Sequence, residues 1–381
     1  MNTQLSTLYP DLMSLCQGDD SAFYYVDHVG PDGKNYRVFT YRLASFSDFQ
    51  KRNALECRGH TFRLNDDGTT ELVCLPPTKF FNYGEHLGWG TPMDLNNITL
   101  VMDKLDGSLI STVEFTKDNG HKGFFLKSKT SFSSQQAKDA MRWLNLPENS
   151  QFCRQVLDMV WNGCTVNFEW TAPDNTIVIC YSEPKLTVLN VRDNTTGNYY
   201  GIDKLRKKFG AENVVKTWKK PKDPNRFIEE IESTTGIEGV IICFGDGLWV
   251  KHKTSAYCAL HKTKDSINNP KALWEVCVYE GADDVRALFH ADALAVARIN
   301  EMEEKAAKIY NHIHQTVHTF FNENKDLDRK SYAILGQEKL NREGLFSLAM
   351  NLYLGKECDI KAFMVKHYKS YGVKDEYSGV E

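Results

Sequence analysis

Apolar and polar positions follow two different rhythms along this chain, with the change falling near residue 260. Between about residues 20 and 260 they alternate in short runs bounded by Gly, Pro, Asp and Asn, which predicts strands and tight turns. "FYYVDHVGPDGKNYRVFTYR" predicts two strands joined at Pro-Asp-Gly. "LVMDKLDGSLISTVEF", residues 100–115, predicts a hairpin turning at Asp106-Gly107. "TVNFEWTAPDNTIVICYS" and "EGVIICFGDGLWVKHK" repeat the same design. Helices interrupt the strands at "SSQQAKDAMRWLNL", which has a serine start, and at "PNRFIEEIEST".

Beyond residue 260 the period lengthens. Ile299, Met302, Ala306, Ile309, Ile313, Val317 and Phe320 recur at steps of three and four, one face of a long amphipathic helix. Pro270 is the last proline, and no glycine falls between Gly281 and Gly336. More helix is predicted in "REGLFSLAMNLYLG" and "DIKAFMVKHYKSYG". The expected architecture is α+β: a domain of antiparallel sheets and helices followed by an all-helical C-terminal domain, with the change of pattern at 255–270.

Composition narrows the class. The 381 residues suffice for about two domains, and 41% hydrophobic with 25% charged residues is ordinary for a globular protein. No apolar run approaches the roughly 18 residues of a membrane span, so no membrane partner is expected. The opening "MNTQLSTLYPDLMSL" lacks a basic start and an apolar core, which predicts a protein that stays in the cytoplasm where it is made. Ten scattered cysteines form no CxxC pair, against a zinc site or a disulfide framework. Net charge is only −4, yet residues 204–226 hold nine basic residues against two acidic ones. Such a run is either a solvated face or a contact for phosphates.

Four stretches could carry chemistry. Lys104 stands between Asp103 and Asp106, with Gly107 and Ser108 behind it. A lysine is a nucleophile only without its proton, which neighbouring cations and burial favour, and a glycine lets backbone approach a ligand. Taken by itself, this stretch reads better as a hairpin tip than as a site. In "GLWVKHKTS" the two-residue period puts Lys251 and Lys253 on the face of Trp249, a spacing that suits a polyphosphate or a lysine-defended edge strand. Glu169 interrupts an apolar strand beside Phe168 and Trp170, and Glu238 opens a strand just before Gly239. A carboxylate in such company faces outward or holds a hydroxyl or a metal-bound water.

In this order, "KLDGS" at 104–108, "NFEW" at 167–170, "EG" at 238–239 and "KHK" at 251–253 resemble the motifs of the covalent nucleotidyltransferase superfamily of ATP-dependent ligases and capping enzymes. "NYRVFTYRLASFSDF", "ALECRGHTF", "PTKFFNYGE", "FLKSKTS", "VLNVRDNTTGNY" and "ALHKTKDSINNP" are similar to the RNA ligase 1 family of T-even bacteriophage type over nearly the whole chain. The resemblance implies a nucleotidyltransferase (ATP-grasp-like ligase) domain at 1–258 and an all-α domain at 259–381 concerned with RNA or tRNA specificity. It also implies an ATP-dependent RNA ligase working through lysyl-AMP and RNA-adenylate intermediates.

By the same resemblance Lys104 is the covalent nucleophile. Asp106, Glu169 and Glu238 hold a magnesium or manganese ion, through its waters, and the ribose. Lys251 and Lys253 meet the phosphates, Arg58 and Lys79 the triphosphate, and Tyr41 the adenine. Lys129 and Tyr257 fall at further nucleotide-binding positions, and Asp283 at a metal position in the helical domain. The implied partners are ATP and single-stranded RNA ends, as in a broken tRNA anticodon loop, met by a monomer in the cytoplasm of an infected host. The chain departs from the family pattern at Leu105, where an acid occurs, and before Tyr257, where another aromatic stands; fine substrate preference is what these affect.

Other members of the superfamily and an inert binding module are the alternatives. A DNA ligase or capping enzyme carries an OB-fold barrel of short strands after the Lys-x-Lys strand. Residues 271–381 are helix-patterned and free of proline instead. An inert nucleic-acid-binding module would have eroded motifs, and none is missing.

Overall fold

The computed structural model describes residues 5–374, apart from 19–20, 43, 45–46, 85–92, 117–119, 121, 176–178, 261–268 and 290–292. Most of "ALHKTKDSINNP", which leads into the helical region, therefore lies outside the described residues. Two compact units form: Met1–Cys16, Phe23–Tyr41 and Phe46–Lys262 make the first, and Gln17–Ala22, Arg42–Ser45 and Thr263–Glu381 the second.

The first unit contains three sheets. Strands β1 (Phe23–Val29), β2 (Asn35–Tyr41), β3 (His60–Leu64) and β4 (Thr70–Cys74) form an antiparallel meander. There follow β5 (Phe81–Asn82), β6 (Ile98–Lys104), β7 (Ser108–Thr116), β8 (Lys122–Lys127) and β9 (Cys164–Thr171). The last four are β10 (Lys185–Asp193), β11 (Thr217–Trp218), β12 (Gly239–Phe244) and β13 (Trp249–Lys253). The second sheet has the order β10-β9-β7-β8, and the third β11-β6-β12-β13-β5.

Two expected hairpins are not hairpins. Strands β6 and β7 lie in different sheets, because both edges of β6 are taken by β11 and β12 while β7 pairs with β8 and β9. The Asp106-Gly107 turn is thus a crossing from one sheet to another. Likewise β9 pairs with β10, and Ile179–Glu183 form no strand. The amide of Ile179 donates to the Asp106 carboxylate at 2.7 Å rather than to a ladder. The hairpins β1–β2 and β12–β13 form at the predicted turns.

Strand β12 is buried at every position although both its neighbours run antiparallel to it; the sheet is mixed, since β13 and β5 are parallel. Val240, Ile242 and Phe244 pack with Phe227, Ile228 and Ile231 of helix Pro224–Ser233. Ile241 and Cys243 point the other way, into a larger core with Met102, Val166, Phe168 and Trp170. A strand covered on both faces reads as a continuous apolar run. Its covering helix starts where Asp223 accepts a hydrogen bond from the Arg226 amide at 3.1 Å, and helix Gln135–Leu144 starts on Ser134 in the same way.

The second unit, described by itself, contains helices Pro270–Val278, Ala282–Leu288, Ala293–Asn324, Arg329–Leu340, Phe346–Tyr353 and Ile360–Lys366, and no strand among its described residues. Ile299, Ala306, Ile313, Val317 and Phe320 of the long helix are buried, with Met302 and Ile309 flanking them. The three-to-four spacing of the sequence is this buried face.

The first unit also buries charge. Arg192 of β10 donates from Nη1 and Nη2 to the two carboxylate oxygens of Glu56, at 2.8 and 3.0 Å, and again from Nη1 to the Pro76 carbonyl at 2.8 Å. His60 lies 2.7 Å from the same carboxylate, and both ionic side chains are 2% exposed. Burial raises the Glu56 pKa, but Arg192 and His60 overcome this and hold it well below the ordinary carboxylate range. Burial pushes His60 down. Its Nδ1 has no partner, which fits a neutral ring donating from Nε2. This cluster pins residues 54–60, the segment that presents Arg58.

Removing one member leaves the others buried and uncompensated. Glu56→Ala is expected to cost about 3–5 kcal/mol, read from the denaturation midpoint of the sheet-bearing unit. Because the folded pKa of Glu56 is depressed, its contribution is complete above an unfolded pKa of about 4.3 and fades as pH falls below that. Acid sensitivity in that range should be weaker in the variant, and an unchanged acid limb would contradict the role given to Glu56.

Candidate active site

Three neighbouring strands meet at one end of the third sheet. Gly239, the first residue of β12, is paired with Lys104, the last of β6, and with Lys253, the last of β13. Glu238 precedes that glycine and accepts both ammonium groups on one oxygen: Lys104 Nζ at 2.6 Å and Lys253 Nζ at 3.2 Å. Gly239 is required by this approach. A Cβ there would stand 2.1 Å from the His252 carbonyl oxygen, so any side chain would push β13 and Lys253 away. Along β13 the expected alternation holds: Trp249, Lys251 and Lys253 are half-buried on one face, and Val250 and His252 are buried on the other.

The turn after Lys104 joins this end to the second sheet. A Cβ on Gly107 would lie 2.3 Å from the carbonyl oxygen of Trp170, so the glycine answers to β9. Its amide donates to Glu169 Oε1 at 3.1 Å. Alternation along β9 sends Val166, Phe168 and Trp170 into the core and leaves Thr165, Asn167 and Glu169 on the opposite, polar face. Glu169 is pushed up to about 7, chiefly by burial and further by the Glu238 carboxylate, with Lys104, the Gly107 amide and Arg58 opposing.

Asp106, expected to hold metal and ribose, also has a structural place. It is 1% exposed, and its oxygens accept from the Tyr257 hydroxyl at 2.8 Å and the Ile179 amide at 2.7 Å. Its own amide donates to the Tyr181 hydroxyl at 3.0 Å. A buried carboxylate needs such donors, and here they make Asp106 the tie that fixes the crossing after Lys104. Tyr257, expected at the nucleotide, is the other half of that tie and lies under the Lys253 ammonium, 5.0 Å from its ring centre.

A second group of cations surrounds Tyr41. Lys129 Nζ stands 3.9 Å from the centre of its ring and Lys79 Nζ 5.6 Å, with Lys79 also near Phe49 and Phe81. Aromatic faces hold ammonium groups in place, and like charges gathered on one ring favour an anion nearby. Arg58 reaches the Pro77 carbonyl at 3.5 Å and is close enough to Glu169 to stabilise its charge.

Two residues escaped the sequence reading. Lys127 is wholly buried and donates to the carbonyls of Ser128 and Lys129 at 3.1 and 3.0 Å, fixing the backbone that carries Lys129. Burial pushes its pKa down. The signal was present in "KSK", where two lysines share a face and only Lys129 was singled out. Asp103, given no role by sequence, accepts the Trp218 indole N–H at 2.6 Å, while its amide donates to the Lys216 carbonyl at 2.9 Å. Asp283 lies in the first turn of helix Ala282–Leu288 in the second unit, where its Oδ1 accepts the Asp284 amide at 3.0 Å.

The chain is similar to known proteins along most of its length. Residues 56–265 match the sequence family described as RNA ligase, and residues 264–377 match the one described as T4 RNA ligase 1, C-terminal domain. The chain is 25% identical over 291 residues to a candidate RNA ligase of Thermovibrio ammonificans, covering 73% of this chain and 71% of that one. It is 27% identical over 238 residues to RNA ligase 1 of bacteriophage TS2126, covering 59% and 56%. A solved structure described as a candidate ATP-dependent DNA ligase of Aquifex aeolicus aligns over 92% of this chain and 99% of its own, at 13% identity and a TM-score of 0.44, too low to add to the assignment. With more than half of its residues matched by the one model, the chain belongs to the RNA ligase family.

Proposed function

We infer that the protein is an ATP-dependent RNA ligase whose nucleophile is Lys104. The observation that carries this is the meeting of Lys104 and Lys253 on one oxygen of Glu238, at the register point of three strands. Lys104 Nζ forms a bond to the α-phosphorus of ATP as the bond to pyrophosphate breaks. The adenylate then moves to an RNA 5′-phosphate, and a 3′-hydroxyl displaces AMP to seal the strand. Each step is an in-line displacement at phosphorus, so positioning and charge neutralisation do the work. Lys251 and Lys253 meet the phosphates from β13, and Arg58 and Lys79 the triphosphate. Tyr41 and Lys129 border the adenine.

Glu169 and Glu238 suit a hard divalent cation. They are oxygen donors, and their repulsion contributes to the raised pKa of Glu169, a strain that a cation relieves. Among the described residues no three His, Cys, Asp or Glu side chains cluster as a metal cage. Magnesium and manganese fit such a sparse set, because such an ion keeps several waters and uses one or two carboxylates with substrate phosphates. When bound, the ion would neutralise phosphate charge. Asp106 contributes by holding the chain after Lys104, and Tyr257 by holding Asp106.

The finer assignment follows the family likeness. Residues 1–258 carry adenylyl transfer, and 259–381 carry RNA specificity, with Asp283 as a metal position there. The substrate is a cleaved tRNA anticodon loop, repaired by a monomer in the cytoplasm of a phage-infected host.

Incubation with α-labelled ATP and a divalent cation should leave label on the wild-type protein through denaturing electrophoresis. Lys104→Ala should carry none, and Lys253→Ala should adenylate about 10²–10³-fold more slowly, as for loss of one electrostatic donor. Absence of label on wild type would sink the reading. A 5′-phosphorylated single-stranded RNA should be circularised; sealing only of nicked DNA would exclude RNA as the substrate. Burial and Glu238 push Glu169 up to about 7 in the protein without a cation, and its charged form is the useful one. Adenylation at subsaturating ATP and cation should therefore rise as pH passes upward through 7 and level off above it. Glu169→Gln should remove that limb along with most of the rate.

A further inference from the structure

The basic run at 204–226 is not used by the chemistry at Lys104. Its chain enters the third sheet as β11, antiparallel to β6, with Thr217 opposite Met102 and Trp218 opposite Val101. Lys216 therefore stands beside Asp103, one residue from the nucleophile. From there the segment follows the outer edge of β6 to Lys220, whose Nζ lies 3.5 Å from the Asn96 carbonyl. The edge is fastened at its start by the Asp103 carboxylate on the Trp218 indole and by the Asp103 amide on the Lys216 carbonyl.

Lys204, Lys207, Lys216, Lys219, Lys220 and Lys222 are exposed, and none makes an ion pair among the described residues. The nearby acids are otherwise engaged or few. Asp223 caps helix Pro224–Ser233, Glu230 pairs with Arg226, and Asp158 pairs with Lys208, leaving the exposed Asp203, Glu212 and Glu229. A lysine-rich edge blocks pairing with another strand, but that use requires one or two lysines, not six along a strap and its preceding helix. Uncompensated cations in a line are a footprint for a polyanion.

We propose that this edge, Lys216–Lys222 with Lys204 and Lys207 behind it, is the track on which the phosphates of single-stranded RNA lie on the way to Lys104. The proposal rests on the ligase reading above and adds where the RNA runs. ATP meets Lys104 from the β12–β13 side, where Glu238 and Lys253 stand; β11 is the other neighbour of β6. The two substrates would thus flank the nucleophile strand on opposite sides.

The test replaces Lys216, Lys219, Lys220 and Lys222 by alanine together in the full chain. Two readouts follow: self-adenylation with α-labelled ATP, and binding of a 5′-phosphorylated single-stranded RNA oligonucleotide across a salt series. Adenylation should match wild type. RNA affinity at low salt should fall about tenfold or more, and the slope of log affinity against log salt should become shallower by about 0.7 for each phosphate no longer neutralised. Unchanged RNA affinity and slope with normal adenylation would overturn the proposal. Loss of adenylation would overturn the claim that this edge serves RNA alone. Failure of wild type to take label would instead remove the ligase reading itself.

Discussion

Everything at this site depends on a single carboxylate oxygen shared by two lysines. Glu238 Oε1 holds Lys104 and Lys253 within 3.2 Å, although like charges so close would otherwise repel. That arrangement needs β6, β12 and β13 in one register, and the register needs a residue without a side chain at 239. The double burial of β12 then fixes the strand on both faces, so it cannot slip by one residue without moving Val240 to Phe244 into the wrong environment. The core, the glycine and the ion pairs are one constraint viewed at three scales.

Charge buried elsewhere follows the same logic at larger cost. Glu56, Arg192 and His60 do no chemistry, yet they hold the segment from which Arg58 emerges. Lys127, wrapped in two carbonyls, holds the backbone from which Lys129 reaches Tyr41. Such groups are expensive to desolvate, so each is met by donors or acceptors, His60 Nδ1 excepted. The cations that would meet ATP thus stand on supports that are themselves polar and hidden.

The alternation of short strands, the helix starts at Ser134 and Pro224, and the buried stripe from Ile299 to Phe320 were all legible in the sequence, because they depend on local period and end signals alone. Partnership was less legible. "LVMDKLDGSLISTVEF" has the pattern of a hairpin, and nothing local says that its two strands join different sheets. The hydrogen bonds of Asp106 and Asp103 were not legible for a related reason: their partners Tyr257, Ile179 and Trp218 are 73 to 151 residues away in the chain. Residue type and motif order singled out Lys104, Glu169, Glu238 and Lys253, which the fold brings together, but which oxygen faces which nitrogen is decided by long-range pairing.

The crossing at Asp106-Gly107 has a mechanical meaning. Lys104 and Glu238 ride on one sheet, whereas Glu169 rides on another, and beside a glycine the Gly107 amide donates to the Glu169 carboxylate across the join, over a core that both sheets share. A shift of the second sheet would move Glu169 and leave the lysine pair on Glu238 intact. The site is therefore a seam between two plates: one plate carries Lys104 with its counter-ion, and the other brings up the second acid.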